Sequence, residues 1–259
     1  MIRAVIWLHF LRLWRYRYSL LNMVISNAMW VLLLVMGVLL FVPREELGRA
    51  LMSAYWTIAC WSIVSNFSSL IGGWTNFFIS LGMVEEHLMR GVSPFIVIGG
   101  RLIAASIVSA VTIALMGALI GGLFSVPLFS LSSPELASMG LAAVSLQSLF
   151  YGIIVSALAM RASVSEQFLE ILNFATVGIM IVPLRVLPEA LRVAYLSVPY
   201  VAPAYLLKVS AGSEESSLIQ SAALISALET LLFAFIALLM IRTVENYIRR
   251  NGVRAIGFY

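Results

Sequence analysis

One cluster of ionisable side chains is Glu85-Glu86-His87-Leu88-Met89-Arg90, bracketed by Gly82, Gly91 and Pro94. Glycines and a proline at those places fit one or two helical turns. Glu85 and Glu86 then sit at the positive N-terminal end of the turns and Arg90 near the negative end, each favoured by the helix dipole. Leu88 and Met89 are apolar residues on a stretch that belongs in water. Two readings fit: a solvated loop whose apolar residues pack on neighbouring helices, or a short docking helix that inserts into a cytoplasmic partner.

A second candidate is Glu229, the one charge in the apolar run from Ser216 to Ile241. It lies 13 residues after the start and 12 before the end, which is mid-membrane if the run crosses a bilayer. An unpaired charge there costs roughly 3 kcal/mol or more, so Glu229 must face other helices and be paired or protonated. Gln147, Ser145 and Ser148 lie at similar depth. The carboxyl reads either as a structural hydrogen bond between helices or as a substrate or proton site. A third group is Asn66, Phe67, Trp74, Asn76, Phe77 and Phe78, interleaved with Ser68, Ser69, Gly72 and Gly73. Small residues permit close helix approach, and amides and aromatics offer amphipathic contacts, so this stretch reads as helix packing or as the lining of a conduit that Asn173 and Phe174 can face.

Other chemistries are missing. There is no aspartate, the only lysine is Lys208, and no G-x-x-x-x-G-K-[ST], H-E-x-x-H or G-x-S-x-G occurs. Phosphate-loop ATP binding, intramembrane aspartyl proteolysis and a histidine-paired zinc site are therefore not expected. Cys60 stands alone, so no disulfide and no cysteine metal site is expected, and it reads as a small buried residue. His9 and His87 both map to the cytoplasmic edge, which leaves a catalytic serine without a base.

The elements that position these residues follow from composition. Of 259 residues, 62% are hydrophobic and 11% charged, with mean hydropathy +1.03. A soluble sphere of this size cannot hide so much apolar side chain, which excludes a water-soluble enzyme and a disordered chain alike. Crossing about 30 Å of hydrocarbon takes about 20 helical residues. Charge-free runs cover Tyr18 to Pro43, Ala50 to Val84, Leu102 to Pro134 and Leu136 to Met160, of 26, 35, 33 and 25 residues. The two longest must tilt, bend or extend into water. Glu166 to Leu184 is a fifth span, opened by the capping-box spacing of Ser163-Val164-Ser165-Glu166 and ended or kinked at Pro183. Ser216 to Ile241 is the sixth.

Between the last two, residues 185–212 carry Pro188, Pro199 and Pro203 and no charge-free piece longer than 15 residues. That is too short and too broken to cross, so it reads as a re-entrant or interfacial helical hairpin. Six spans place both termini on one side with 11 of the 16 Arg and Lys residues, and that side is cytoplasmic by the positive-inside rule. The fold expected is all-α and integral to the membrane, one domain of six transmembrane helices, with no internal repeat. Residues 6–16 read as an in-plane amphipathic helix, Ile6, Trp7, Phe10, Leu11, Leu13 and Trp14 on one face and His9, Arg12 and Arg15 on the other, the alternative being an overhang of the first span. The 26-residue run behind it is too long for a cleavable signal. The net charge of +4 is explained by arginines beside lipid headgroups rather than by nucleic acid.

The ordered set resembles the permease subunits of type-2 ATP-binding-cassette transporters over essentially the whole chain. Residues 1–17 look like the family's in-plane helix, and residues 82–94 look like its coupling helix and following proline. Pro183-Leu184-Arg185-Val186-Leu187-Pro188 followed by Pro199 resembles its hairpin, and residues 242–259 with Arg249-Arg250-Asn251-Gly252 resemble its basic tail. Ile179-Met180-Ile181-Val182 departs from the small Ser-Gly pair often found before the hairpin. The resemblance implies an exporter permease in the cell membrane. Two copies pair, as a homodimer, and each docks a separate ATPase subunit that holds ATP and Mg, with no cofactor on this chain. The cargo implied is amphipathic or hydrophobic: a drug, peptide, lipid or lipid-linked glycan. The rival reading is an ion-coupled secondary transporter using Glu229.

Overall fold

In hydrocarbon a backbone must satisfy its own hydrogen bonds, and the apolar runs do so as helices. A computed structural model describes residues 2–40, 42–162 and 166–253, which are 84% helical with no strand. Helix α1 (Ile2–Arg15) bends at Tyr16 into α2 (Arg17–Leu39). Helix α3 (Leu47–Phe67) runs through a six-residue π turn (Ser68–Gly73) into α4 (Trp74–Ser80). The short α5 (Met83–Met89) follows at 84° to it. Helices α6 (Pro94–Gly99) and α7 (Leu102–Phe124) form one apolar stretch with a turn at Gly100 and Arg101. Then come α8 (Pro134–Arg161), α9 (Glu166–Met180), α10 (Glu189–Leu196), α11 (Val201–Ser210) and α12 (Ile219–Asn251).

Among the described residues, four stretches, Arg17–Gly37, Pro94–Phe124, Pro134–Arg161 and Ser216–Asn251, are long and apolar enough to cross a membrane. The number is up to six if the bent pairs α3–α5 and α10–α11 each count as one crossing. The excess length of two charge-free runs goes where physics requires. Ala50 to Val84 runs through the π turn and bends by 84° at Leu81 and Gly82, and Leu102 to Pro134 leaves its helix at Phe124 and finishes as a loop. The fifth run is shorter than expected. Its helix stops at Met180, three residues before Pro183, and at about 1.5 Å per residue its 15 residues span only about 22 Å. The expected capping residues 163–165 lie outside the described residues, as does the tail beyond Val253.

Helix α3 is the most enclosed of the long helices, with Ala54 to Val64 buried without interruption. Helix α8 packs on α12, on α11 and on the π turn. Two glycines let it approach. A Cβ on Gly152 would stand 3.0 Å from the Phe67 carbonyl oxygen, and one on Gly72 would stand 2.6 Å from Val155 Cγ1. Ser156 Oγ donates to the carbonyl of Ile71 at 3.0 Å and so occupies an acceptor inside the π turn.

Contacts sort the connections into two ends. At one end Glu85 accepts from the Val253 amide at 3.2 Å, Ser93 donates to the Glu245 carboxylate, and His9 Nε2 donates to the Val97 carbonyl at 3.0 Å. Arg161 lies over the Tyr247 ring at that end. At the other end Arg185 pairs with Glu46 at 3.2 Å, and the Ser132 amide donates to the Ser210 carbonyl at 2.8 Å.

Candidate functional site

Helix α5 exists because its boundaries force it. Gly82 and Gly91 adopt φ of +67° and +71°, conformations costly for any residue with a Cβ, so the chain turns sharply at both edges of a two-turn helix. The helix is amphipathic. Val84 is buried, and Met83 and Leu88 pack against the core. Glu86 and Arg90 pair on the exposed side at 2.5 Å. His87 Nδ1 bonds the Met83 carbonyl within the helix, so its ring is turned back on its own backbone. Met89 is 83% exposed, the most exposed large apolar side chain described. Residues Glu85 to Arg90 therefore divide. Leu88 is anchoring, Glu85 ties the helix to the end of α12, and Glu86, Met89 and Arg90 are presented outward.

The expected conduit residues do not share one surface. Asn66 is buried, accepting from Asn27 at 2.8 Å and donating to Ser62 at 3.3 Å and Ser109 at 3.1 Å. It joins α2, α3 and α7. Asn173 is also buried and exchanges hydrogen bonds with Ser68 at 2.9 and 3.2 Å, tying α9 to the π turn. Phe67 and Phe78 lie in the core. Phe174 is exposed and tilts against Trp61, with ring centroids 5.5 Å apart. Asn76 is half-buried on α4. Trp74 and Phe77, edge to face at 4.9 Å, turn to a different place, a cavity beside α1.

Glu229 meets one of its expected partners. Gln147 Nε2 lies 3.5 Å from Glu229 Oε2 and also donates to the Ser226 carbonyl and Thr230 Oγ1, each at 3.2 Å. Among the described residues, Glu229 Oε1, Gln147 Oε1 and Tyr200 OH are buried without a hydrogen-bond partner. Among the described residues neither Ser145 nor Ser148 bonds the carboxyl. Glu229 is half-buried between α8 and α12 rather than turned outward.

The four hairpin prolines sit where helices must begin or break. Pro183 precedes a 3-10 turn (Leu184–Val186), Pro188 precedes α10, and Pro203 lies in the first turn of α11. Pro199 precedes Tyr200, whose φ of +70° lets the chain reverse through the 109° between α10 and α11. Every residue of α11 is buried, the condition for a broken helix at membrane depth. Lys208 Nζ donates to the Met180 carbonyl at 2.6 Å, one of the acceptors that α9 leaves open at its end.

Sequence reasoning missed Arg101, treating it only as one of the basic residues flanking a span. The side chain lies under the Trp74 ring, its guanidinium carbon 3.5 Å from the ring centroid. The available signal was its place between Phe95–Ile98 and the run from Leu102, a charge inside apolar sequence. It also missed the docking stripe of α1. His9 is 3% exposed, with Val5 and Leu13 on the same stripe, while Ile6, Trp7, Phe10, Leu11 and Trp14 remain exposed. A Cβ on Gly100 would stand 2.4 Å from Val5 and 2.6 Å from His9, so Gly100 is the seat of that stripe. Burial, the largest effect, holds His9 below its ordinary value of 6.5, the bond to Val97 opposes this, and the charges of Arg101 and Arg12 add to it.

Among the described residues no three His, Cys, Asp or Glu side chains gather as metal ligands. No protein family, curated protein or solved structure matches the chain.

Proposed function

We propose that the chain is the membrane subunit of an ATP-driven exporter, crossing the bilayer six times with both ends cytoplasmic, and that α5 is where a separate ATPase subunit docks. The observation that carries this reading is α5 itself. It is a rigidly bounded amphipathic helix at the end of the bundle where residues of α1, α6 and the end of α12 meet, and it presents Met89 with Glu86 and Arg90 to water. One exposed methionine is ordinary on a surface, so what supports docking is its setting, an apolar anchor inside a charged rim on a helix fixed at both ends. The same end carries most of the arginines, which supports a cytoplasmic placement.

The six crossings are α2, α3 with α4, α6 with α7, α8, α9 and α12. The pair α10–α11 is a re-entrant hairpin. Its flanks touch the far end through Arg185–Glu46 and Ser132–Ser210, while Tyr200 at its tip meets Tyr151 of α8 and Phe233 of α12, at ring centroids 6.4 and 5.8 Å. Phe233 is 14 residues into α12, about 21 Å at the helical rise, so the tip reaches well inside and returns.

Movement follows from a bistable membrane part and an ATPase that binds its two states unequally. Two copies of the chain form the path, and the cargo is amphipathic or hydrophobic. The test is co-purification with an ATPase subunit encoded beside this chain. Wild type retains the ATPase; Met89→Glu, which leaves every described hydrogen bond in place, loses it. Retention and unchanged ATP turnover in Met89→Glu and in Glu86→Ala would overturn the reading.

Glu229 favours a second reading. One of its carboxyl oxygens is buried and unpartnered, so it is free to take a proton. Uphill transport driven by a proton gradient without nucleotide, abolished in Glu229→Gln, would replace the ATPase account.

A further inference from the structure

A cavity of about 520 Å³ opens between α1, α2, the π turn, α4 and α7. Its lining is of two kinds: Arg12, Arg101, Tyr16 and Ser19 are cationic or polar, and Met23, Leu70, Phe77 and Val108 are apolar. No carboxylate lines it. Arg101 is largely withdrawn from water, and its Nε and Nη1 are buried without a hydrogen-bond partner among the described residues. The Trp74 ring covers one face of the guanidinium and supplies no acceptor for its N–H groups. The neighbouring charge is Arg12, which repels it. A guanidinium left with unmet donors beside a second cation is incomplete as it stands, because buried charges are paired or solvated. An anion bearing several acceptor oxygens completes it, and phosphate has the geometry and charge that arginine pairs select.

The surroundings say which phosphate. The outward face of α1 carries Trp7, Phe10, Leu11 and Trp14, exposed, as on a helix lying at the headgroup level of a bilayer. Val108 lies about two turns beyond Arg101 along α7, and Met23 lies beyond Arg12 and Tyr16 along α1 and α2, so apolar lining follows the cationic lining as an acyl chain follows a headgroup. We propose that this cavity binds the phosphate of an anionic lipid through Arg101 and Arg12, with the start of its acyl chain against Met23, Leu70 and Phe77. The proposal rests on the membrane placement of α1 and is independent of any ATPase.

The experiment is native mass spectrometry of the purified, delipidated full chain, titrated separately with phosphatidylglycerol, with chain-matched diacylglycerol and with inorganic phosphate. One phosphatidylglycerol per chain is expected, bound at least tenfold more tightly than diacylglycerol. Arg101→Gln and Arg12→Gln each weaken it at least tenfold, Arg101→Lys recovers part of the loss, and Arg249→Gln changes nothing. Arg12 is exposed, so Arg12→Gln keeps the test decisive if Arg101→Gln fails to fold. Inorganic phosphate binding as tightly as the lipid would make the source a soluble phosphate and overturn the lipid assignment. Diacylglycerol binding equally well, or phosphatidylglycerol binding unchanged in Arg12→Gln, would overturn the site. Because no nucleotide or partner enters the measurement, its failure leaves the ATPase reading standing.

Discussion

Asn66 holds three neighbours at once, and its loss should be felt as structure before function. Asn66→Ala strands Asn27 and Ser109 in an apolar interior and should cost about 1 kcal/mol, the scale of an interhelical hydrogen bond in a membrane protein. Unfolding in mixed detergent measures it; an unchanged midpoint would show that these bonds are not held in the folded protein. Glu229→Gln keeps a polar side chain of the same shape beside Gln147, so assembly and most transport should survive. Abolished transport with intact assembly would move Glu229 from a structural to a functional role. At this scale the sequence marked the unusual residues and not their partners. Glu229 stands out because charge is rare in lipid, and Gln147 is placed beside it by depth. Nothing local says that Asn66 reaches Asn27, 39 residues away, or that Arg101 lies under Trp74.

Elements are positioned by glycines and one histidine. The π turn meets α8 at Gly72 and Gly152, where no Cβ fits without displacing Val155 or the Phe67 carbonyl. Gly72→Ala should destabilise by about 1–3 kcal/mol, and Val155→Ala should recover part of that because it removes the obstructing Cγ1. Additive effects in a double-mutant cycle would contradict the packing. Helix α1 is tied down through His9. Its folded value lies below 6.5, so the released helix takes up a proton more readily than the docked one. Docking is therefore complete above about pH 6.5 and weakens as pH falls below it. Thiol labelling of Val5→Cys in a Cys60→Ala background, divided at each pH by the labelling rate of a free thiol to cancel the loss of thiolate, should rise as pH falls below that value; a flat normalised profile would mean the seat holds without a neutral imidazole. Helix positions were legible from charge-free runs, and the breaks at Pro183 and Pro199 from proline itself. The stripe by which α1 docks was not, since Trp7 and Phe10 outweigh Val5 and Leu13 in any apolar pattern, yet they face away from the protein.

For the whole molecule, composition alone excluded a soluble protein, and the helical architecture with several membrane-length helices agrees with it. The number of crossings is less legible, because α9 is short and α10–α11 is bent, so length cannot distinguish span from hairpin. The proposed hairpin rests instead on the pairing of connections at the two ends. Under the proposed topology the number of crossings is even and α5 shares a face with the end of α12, within reach of the proposed ATPase. Single cysteines in a Cys60→Ala background test it directly, read with a membrane-impermeant maleimide at Met89→Cys, Ser130→Cys and Arg249→Cys. In intact cells only Ser130→Cys should react, and in inverted vesicles only Met89→Cys and Arg249→Cys should react. Labelling of Met89→Cys and Arg249→Cys from opposite faces, or of Met89→Cys and Ser130→Cys from the same face, would contradict it.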